Sequence, residues 1–363
     1  MSENKPIILI VSDVHLGSLD CEKDLFIQFL KRIINGELGN ELQAFIILGD
    51  FIDLCMDIPR TLLRRKKIQE IFTLLLEIKK KMNLVFLLGN HEIPVTGDFD
   101  EKFERRKKKF LNKFKNSNFK ELFNNELYYQ YALLKKSDTD DILFLYDSRE
   151  QIENNPVKEV KINNLNLDTD YRCFMAHGYQ FEPDIYRFIV GQFWKSLISS
   201  NNFEVKETHD YFWNHIIKNG RKIKPVRFED MKEELAKLKR KSIESVDMAF
   251  SGLNILEFNF IKSSMRVMKR WYRAASKPDY FLDEIKEFLE DDDYDFSKIN
   301  HVIYGHFHYK SKSIATINQQ QVEIINDGSW QHMQPSYVEI CDKGKMHLRT
   351  IENNIPPLEN NER

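Results

Sequence analysis

The most restrictive feature of this sequence is a set of five apolar runs that each end directly in side chains able to bind metal ions. Three of the runs, residues 7–11, 44–48 and 84–88, lack a polar face, which predicts strands covered on both sides. A single motif of this kind is often only a turn, whereas five in one chain indicate a site. The motifs are Asp13-Val14-His15, Gly49-Asp50-Phe51-Ile52-Asp53, Gly89-Asn90-His91-Glu92, His177-Gly178 and Gly305-His306-Phe307-His308.

The N-terminal part of the chain alternates between strand-like and helix-like patterns. Apolar residues recur at helical spacing over residues 22–35 and again between Ile68 and Ile78, in the gaps between the three apolar runs. This order predicts parallel β-α-β units, whose strands end at one edge of a sheet and collect ligands there. We therefore expect an α/β fold with the motif residues gathered at that edge.

Strand-like runs continue further along the chain and then stop for about a domain's length before they resume at residues 301–304. Two later runs, residues 322–325 and 337–340, are predicted as strands joined by a hairpin turn around Asn326-Asp327-Gly328. The earlier runs cover residues 127–134, 142–146, 157–162 and 173–176.

The interruption defines the predicted domains. Its sequence is mostly helical in character and rich in aromatic and charged residues, which predicts a helical cap inserted at residues 185–297. Residues 6–184 and 298–350 form the predicted catalytic core. Residues 351–363, with Pro356-Pro357 and repeated Asn and Glu, are predicted to be a disordered tail.

Composition restricts the function classes. The 363 residues contain 54 Lys and Arg against 56 Asp and Glu, a formal charge of −2, so the molecule lacks the overall basic excess typical of nucleic-acid-binding proteins. The four cysteines have no CxxC spacing, which disfavours a zinc ribbon and a disulfide framework and suits a reducing compartment. The first apolar run is too short for a signal peptide, and no run has the length of a membrane span. We expect a cytoplasmic protein, with a location peripheral to a membrane as the alternative.

The donor types in the motifs favour one class of metal site. Carboxylate, amide and imidazole groups form a mixed oxygen and nitrogen set, which suits manganese, iron or zinc rather than calcium or a thiolate site. Two such ions about 3.5–4 Å apart lower the pKa of a shared water and clamp the oxygens of a displacement reaction. The sequence therefore predicts a two-metal hydrolytic centre.

The order of the motifs resembles the calcineurin-like metallophosphoesterase superfamily, which is marked by D-x-H, G-D-x-x-D, G-N-H-E/D, an isolated H and G-H-x-H. All five are present in this order, over residues 6–184 and 298–341. The resemblance implies a four-layer α/β/β/α sandwich of two mixed sheets. It also implies hydrolysis of a phosphate ester by a hydroxide that bridges two divalent metal ions. We expect manganese, with iron, zinc or magnesium as alternatives.

The resemblance assigns roles to individual residues. It implies that Asp13, His15, Asp50 and His308 hold one metal, and that Asp50, Asn90, His177 and His306 hold the other. His91 is similar to the family's acid or transition-state histidine outside the metal shell, oriented by a carboxylate such as Asp53.

Two departures from better-known branches of the superfamily restrict the class of substrate that we expect. Phosphoprotein phosphatases place arginine directly after G-D-x-x-D and directly before G-N-H-E, whereas this chain has Leu54 and Leu88 there. A guanidinium holds a monoester phosphate by paired hydrogen bonds, so leucine at both positions favours a phosphodiester or pyrophosphate substrate. The motif style is similar to the branch of the UDP-diacylglucosamine pyrophosphohydrolases. That branch commonly has arginine in place of His91, so its substrate is not carried over.

The predicted cap gives the remaining indications about partners. A helical stretch at residues 261–277 has a basic face that contains Lys262, Arg266, Lys269 and Arg273, beside an apolar face. This pattern is typical of membrane surfaces and anionic partners, and equally of a cap helix packed on a core. We expect a phosphate-ester substrate, with an amphiphilic substrate and peripheral membrane contact as options.

Two rival functions stay open at this point. One is a nuclease, in which basic stretches at residues 105–109, 218–227 and 262–277 line a groove for nucleic acid. The other is a metal-bound scaffold that no longer turns over. The sequence does not fix the oligomeric state.

Overall fold

Two β-sheets pack face to face in the computed structural model, with the metal-binding motifs at the ends of their strands. The chain divides into two units, residues 1–183 with 274–363 and residues 184–273. Every element described below belongs to the first unit, because the second lies outside the described residues. The structure describes residues 5–18, 21–52, 64–91, 122, 129–147, 151–152, 155–181, 280–290, 296, 298–331 and 335–351.

The first sheet contains β1 (Pro6–Val11), β2 (Ala44–Leu48), β3 (Asn83–Leu87), β11 (Ser336–Cys341) and β12 (Met346–Thr350). Its order is β12-β11-β1-β2-β3. The first three strands are parallel, as the β-α-β pattern predicts, and β11 and β12 join them antiparallel to their neighbours. Helices α1 (Lys23–Ile34) and α2 (Lys66–Lys81) connect the parallel strands and bury their apolar sides.

The second sheet has the order β6-β5-β4-β7-β8-β10-β9. Its strands are β4 (Tyr131–Ser137), β5 (Asp140–Tyr146), β6 (Lys158–Ile162), β7 (Arg172–Ala176), β8 (His301–Tyr304), β9 (Lys310–Ile317) and β10 (Gln320–Asp327). The strands β7, β8 and β10 are parallel, and the other pairings are antiparallel. Both sheets are therefore mixed.

Three apolar clusters separate four layers. One packs α1 and α2 on the first sheet around Trp330, and a second fills the space between the sheets with residues such as Ile46 and Met175. The third packs helix α3 (Tyr280–Leu289) on the outer face of the second sheet, where the rings of Phe288 and Phe174 lie 5.8 Å apart. Burying a side chain of this size contributes about 1.5–3 kcal/mol. The α/β/β/α arrangement matches the expected fold class.

The predicted hairpin between residues 322–325 and 337–340 is wrong. β10 pairs with β8 and β9 in the second sheet, whereas β11 pairs with β1 and β12 in the first. The residues between them bind site loops instead of closing a turn, as described below. β10 instead forms a hairpin with β9 through Asn318 and Gln319, both at positive φ, as a type I′ turn requires.

Other predictions fall mostly outside the described residues. Helix α3 lies within the range predicted as the cap, residues 185–297, and most of the rest of that range is not described. The predicted basic helix at residues 261–277, the charged stretch around residues 105–109 and, apart from Ile351, the predicted tail also lie outside the described residues. Among the described residues, no helix is both long and apolar enough to cross a membrane.

Candidate metal centre

The described residues of all five motifs lie at the carboxyl ends of parallel strands, and the two sheets bring these ends together. β1, β2 and β3 lead into the first three motifs, and β7 and β8 lead into the last two. Backbone hydrogen bonds tie the loops within each sheet: Asp13 donates to Gly49 O at 3.1 Å, and Gly305 donates to His177 O at 2.8 Å. A bond between the sheets runs from the backbone N–H of His306 to Asp13 Oδ2 at 2.7 Å.

One cluster consists of Asp13, His15 and His308, whose candidate ligand atoms all lie within 4.8 Å of one another. The two imidazole Nε2 atoms are 3.1 Å apart, and Nε2 of His308 is 3.3 Å from Asp13 Oδ1. Asp13 and His15 are buried, whereas the His308 side chain is 31% exposed. This cluster therefore opens toward solvent on its His308 side.

A second cluster consists of Asp50, His177 and His306, all buried. Nε2 of His177 lies 3.2 Å from Asp50 Oδ2 and 3.2 Å from Asn90 Oδ1, so the amide of Asn90 joins this group. Nδ1 of His177 donates to Leu48 O at 2.9 Å. This bond assigns the proton to Nδ1 and leaves Nε2 with the lone pair that a metal ligand needs.

Asp50 lies between the two clusters. Its Oδ2 atom is 3.2 Å from His177 Nε2 in one cluster and 3.6 Å from His15 Nε2 in the other. The remaining oxygen, Oδ1, accepts the backbone N–H of His91 at 2.8 Å. One carboxylate oxygen is thus placed to face two cation positions at once.

The donor geometry fits divalent metal ions. Around a cation bound at about 2.1 Å, neighbouring ligand atoms lie roughly 3.0–3.4 Å apart in octahedral or tetrahedral geometry. The closest pairs in both clusters fall at 3.1–3.3 Å. In addition, the buried Oδ1 atom of Asp13 makes no hydrogen bond of acceptable geometry in the described part of the chain. A buried carboxylate oxygen without a hydrogen bond is costly unless a cation balances its charge.

His91 lies beside both clusters. Its Nε2 is 3.8 Å from Asp50 Oδ2, its ring contacts that of His15 edge-on at 4.6 Å, and its side chain is 16% exposed. A third set of candidate ligand atoms, from His15, Asp50 and His91, also lies within 4.8 Å. Asp53, predicted to orient His91, lies outside the described residues.

A comparison with known families decides the identity. Residues 7–211, more than half of the chain, match the calcineurin-like phosphoesterase family. The chain belongs to this family.

Membership makes the protein a binuclear metallophosphoesterase, and the family together with the His and Asp clusters indicates two divalent metal ions. No curated protein matches the chain at a significant level. Among solved structures, the phosphoesterase is similar to a dimetal phosphatase from Danio rerio, with 10% identity over 95% of this chain and 96% of that chain and a TM-score of 0.36.

Backbone strain marks the metal site of the phosphoesterase. Five predicted ligands have positive φ angles between 46° and 74°: Asp13, His15, Asp50, His306 and His308. This left-handed conformation costs about 1–2 kcal/mol for a residue with a Cβ, although Asp and His tolerate it better than most. Such strain persists only where surrounding contacts enforce it, and it is concentrated at functional sites.

Two glycines allow the site loops to approach one another. A Cβ on Gly89 would collide with the backbone N and carboxylate of Asp50, and a Cβ on Gly305 would collide with Ser12 and the Asp13 carboxylate. These contacts explain why glycine precedes Asn90 and His306. A glycine directly before a predicted ligand in this sequence therefore indicates close packing between loops as well as a turn.

The residues that support Asp13 were not predicted as site residues from the sequence. The Ser12 hydroxyl lies against Asp13 Oδ2 and is 2.5 Å from Asp327 Oδ1. The backbone N–H of Trp330 donates to Asp13 O at 3.1 Å, and Nδ2 of Asn326 donates to Gly305 O at 3.2 Å. The end of β10 and the segment after it thus support a ligand loop of each sheet. The only sequence feature that could have indicated this is its resemblance to the pyrophosphohydrolase branch.

Gln180 was also missed as a site residue. It is buried, its Oε1 accepts the N–H of Gly178 at 3.0 Å, and its Nε2 reaches Gln130 O at 3.1 Å and Leu88 O at 3.4 Å. It therefore connects the His177 loop to the strand end that precedes Asn90.

The charges of the site are set by burial and by the histidines. Burial raises the pKa of Asp13 and of Asp50, but the neighbouring imidazoles, with His177 the largest influence, outweigh it and hold both pKa values well below the ordinary range. Burial and the charge of Asp13 raise the pKa of Asp327 well above its ordinary value. Asp13 and Asp50 are thus ionised as ligands must be, and Asp327 favours the protonated form.

Proposed function

We propose that this phosphoesterase hydrolyses a phosphodiester or a pyrophosphate bond. The observation that carries the proposal is Leu88, which occupies the position directly before the Gly89-Asn90-His91 motif. Its side chain is buried, and its backbone N–H and carbonyl are bonded to Tyr129 and Gln180. An apolar group here cannot bind a dianionic monoester as the arginine of the phosphoprotein phosphatases does. A diester or pyrophosphate presents less charge at each phosphorus atom and needs no such group.

The proposed ligands of each metal ion are the members of one cluster, with Asp50 shared by both. Asp13, His15, Asp50 and His308 would hold one divalent ion, and Asp50, Asn90, His177 and His306 the other, with manganese as the expected metal. When bound, two such ions lower the pKa of a shared water and stabilise charge on the phosphoryl oxygens. Asp50 keeps its carboxylate between both positions, and the Leu48 carbonyl fixes the tautomer of His177.

His91 is proposed to donate a proton to the leaving oxygen. Its partly exposed ring lies beside the cluster that opens toward solvent, where a substrate can reach it. The bond from its backbone N–H to Asp50 Oδ1 fixes its loop relative to the ligands. We propose Asp53 as the carboxylate that orients the imidazole.

Substrate choice is proposed to depend on the cap, residues 185–297. Its sequence offers aromatic residues beside Lys and Arg, which suits a substrate with an anionic head and an apolar tail or a surface of anionic lipid. A cytoplasmic location, peripheral to a membrane, agrees with this proposal.

The test is a substrate panel with the manganese-loaded protein. It compares p-nitrophenyl phosphate with bis-p-nitrophenyl phosphate, nucleotide-sugar pyrophosphates and single-stranded nucleic acid. We expect the diester or a pyrophosphate to have the highest kcat/KM. A preference for the monoester would contradict the proposal, and cleavage of nucleic acid above all other substrates would favour the nuclease.

A substitution at Leu88 adds a second test of the substrate preference. Leu88→Arg should shift the ratio of monoester to diester turnover toward the monoester, because it supplies a guanidinium near the site. Leu88→Met is the matched control for repacking a buried position and should leave the ratio unchanged.

A further inference from the structure

A second cleft lies away from the metal centre, at the opposite ends of the same strands. It has a volume of about 450 Å³, within the range of small-molecule sites. His301, the first residue of β8, and its neighbour Glu323 on β10 line it. The metal ligands follow the other end of β8, roughly 13 Å away for a four-residue strand. None of the predicted site residues lines this cleft.

One wall of the cleft is basic. It is formed by Lys312 of β9 and by the turn and strand that contain Lys343, Lys345 and His347. The turn is fixed on Tyr171, whose hydroxyl donates to Gly344 O at 3.1 Å, and a Cβ on Gly344 would collide with the Tyr171 ring. The wall therefore presents its lysines from an anchored turn.

The inner carboxylate of the cleft is already neutralised. Glu323 lies 2.6 Å from Lys312 Nζ and 3.5 Å from His301 Nδ1, and these partners hold its pKa below the ordinary value. Burial together with the charges of Arg349, Lys345 and Lys312 lowers the pKa of His347. Because Lys312 is paired with Glu323, the remaining positive charge of the wall comes from Lys343 and Lys345.

Two lysines of the wall, Lys343 and Lys345, are not paired within the described part of the chain, whereas Lys312 is paired with Glu323. Lys343 and Lys345 are exposed and form no ion pair there, although Asp168 and Asp170 line the same cleft. The two aspartates are also exposed and form no ion pair with these lysines in the described part of the chain. The cleft therefore contains basic groups without an ion pair together with acidic ones.

We propose that this cleft binds a small phosphate-type oxyanion against Lys343, Lys345 and His347. The lysines supply point charges for a phosphate group, and the neutral imidazole supplies one hydrogen bond. The oxyanion is either free phosphate or a phosphate group on a small organic molecule. Asp168 and Asp170 then oppose binding, so the removal of their charges should tighten the complex. A ligand with both a positive and a negative group would instead need the aspartates.

The test is a calorimetric titration of the metal-loaded protein with inorganic phosphate. We expect two classes of site, one lost when the metals are chelated and one retained. Lys343→Glu with Lys345→Glu should weaken the retained class about tenfold or more. The control, Lys66→Glu with Lys80→Glu, makes the same charge change on the exposed side of α2 and should leave both classes intact. Phosphate binding that disappears entirely on chelation, or is equal in both double variants, would overturn the proposal.

A second pair of substitutions fixes the ligand class without weakening the site. Asp168→Asn with Asp170→Asn should tighten phosphate binding, by about threefold or more. Weaker binding in this variant would contradict an oxyanion site. Titration with phenylphosphonate, which lacks a hydrolysable ester, then separates the sources: tighter binding than phosphate indicates an organic phosphate, and weaker binding indicates the free ion. Turnover of the diester substrate should stay unchanged in both double variants, and a loss would mean that the cleft is not a separate site.

Discussion

The two metal-binding clusters use the same donor types but differ in their exposure to solvent. Asp50, His177 and His306 are all buried, and the amide of Asn90 lies against them. In the other cluster, Asp13 and His15 are buried while the His308 side chain is 31% exposed. The enclosed position should therefore hold its ion tightly. The open position should exchange its ion faster and face the substrate.

The largest effect is expected at the residue that the clusters share. Asp50→Asn removes the charge that faces both positions, and we expect turnover to fall by about 10⁴-fold or more with loss of bound metal. Elemental analysis and kcat measure the two effects. Asp24→Asn, an exposed carboxylate on α1, is the control. Two retained ions with full turnover in Asp50→Asn would show that Asp50 does not join the clusters.

His91 tests whether chemistry can be separated from metal binding. His91→Gln should lower kcat by about 10²–10⁴-fold, the usual contribution of a positioned proton donor, and keep both ions. Loss of one ion in this variant would instead make His91 a ligand, as its closeness to His15 and Asp50 allows.

Substitutions in each cluster test the difference in exposure. His308→Ala should remove only the exchangeable ion, with affinity lowered by about 100-fold or more, and leave the enclosed ion in place. His306→Ala should remove the enclosed ion. The time course of metal release to a chelator should show two phases in the wild type and only the slow one in His308→Ala. A single phase in the wild type would mean that exposure does not distinguish the clusters.

A smaller effect, on thermal stability, is expected from Asp327, whose carboxyl group contacts Ser12 beside Asp13. Because the pKa of Asp327 is raised, the folded state loses stability as the pH rises above about 4, where the carboxyl of the unfolded chain ionises. Asp327→Asn should therefore raise the Tm of the metal-free protein by about 2–4 °C at neutral pH and leave it unchanged at about pH 3. The variant keeps an oxygen for the Ser12 hydroxyl. An equal gain at both pH values would indicate better packing rather than titration.

The parts of the molecule that could be predicted are those encoded by short, local patterns in the sequence. The apolar runs that became β1, β2 and β3, the helical spacing of α1 and α2, and the donors after each strand are all visible within short windows. The fold class followed from their order and from the family resemblance. The placement of seven predicted ligands around two positions depended on the rule that parallel strands end at one edge.

The contacts that support the ligands could not be predicted in this way. Ser12 and Asp327 are 315 residues apart, and their hydrogen bond leaves no periodic pattern in the sequence. Asn326-Asp327-Gly328 has the composition of a hairpin turn, and local propensity gave the wrong pairing because tertiary contacts use these groups to hold Asp13 and Gly305. The edge strands β9 and β12 were missed because polar residues dilute their apolar ones: lysine and serine in β9, and histidine, arginine and threonine in β12.

The chemistry proposed for this site needs two cations held by the clusters, with Asp50 between them. The most direct measurement is an anomalous diffraction map from crystals of the manganese-loaded protein, collected near the manganese absorption edge. We expect two peaks about 3.5–4 Å apart. One peak should lie at Asp13, His15 and His308, the other at Asn90, His177 and His306, with the Asp50 carboxylate in contact with both. A single peak, or two peaks of which only one contacts Asp50, would contradict the account.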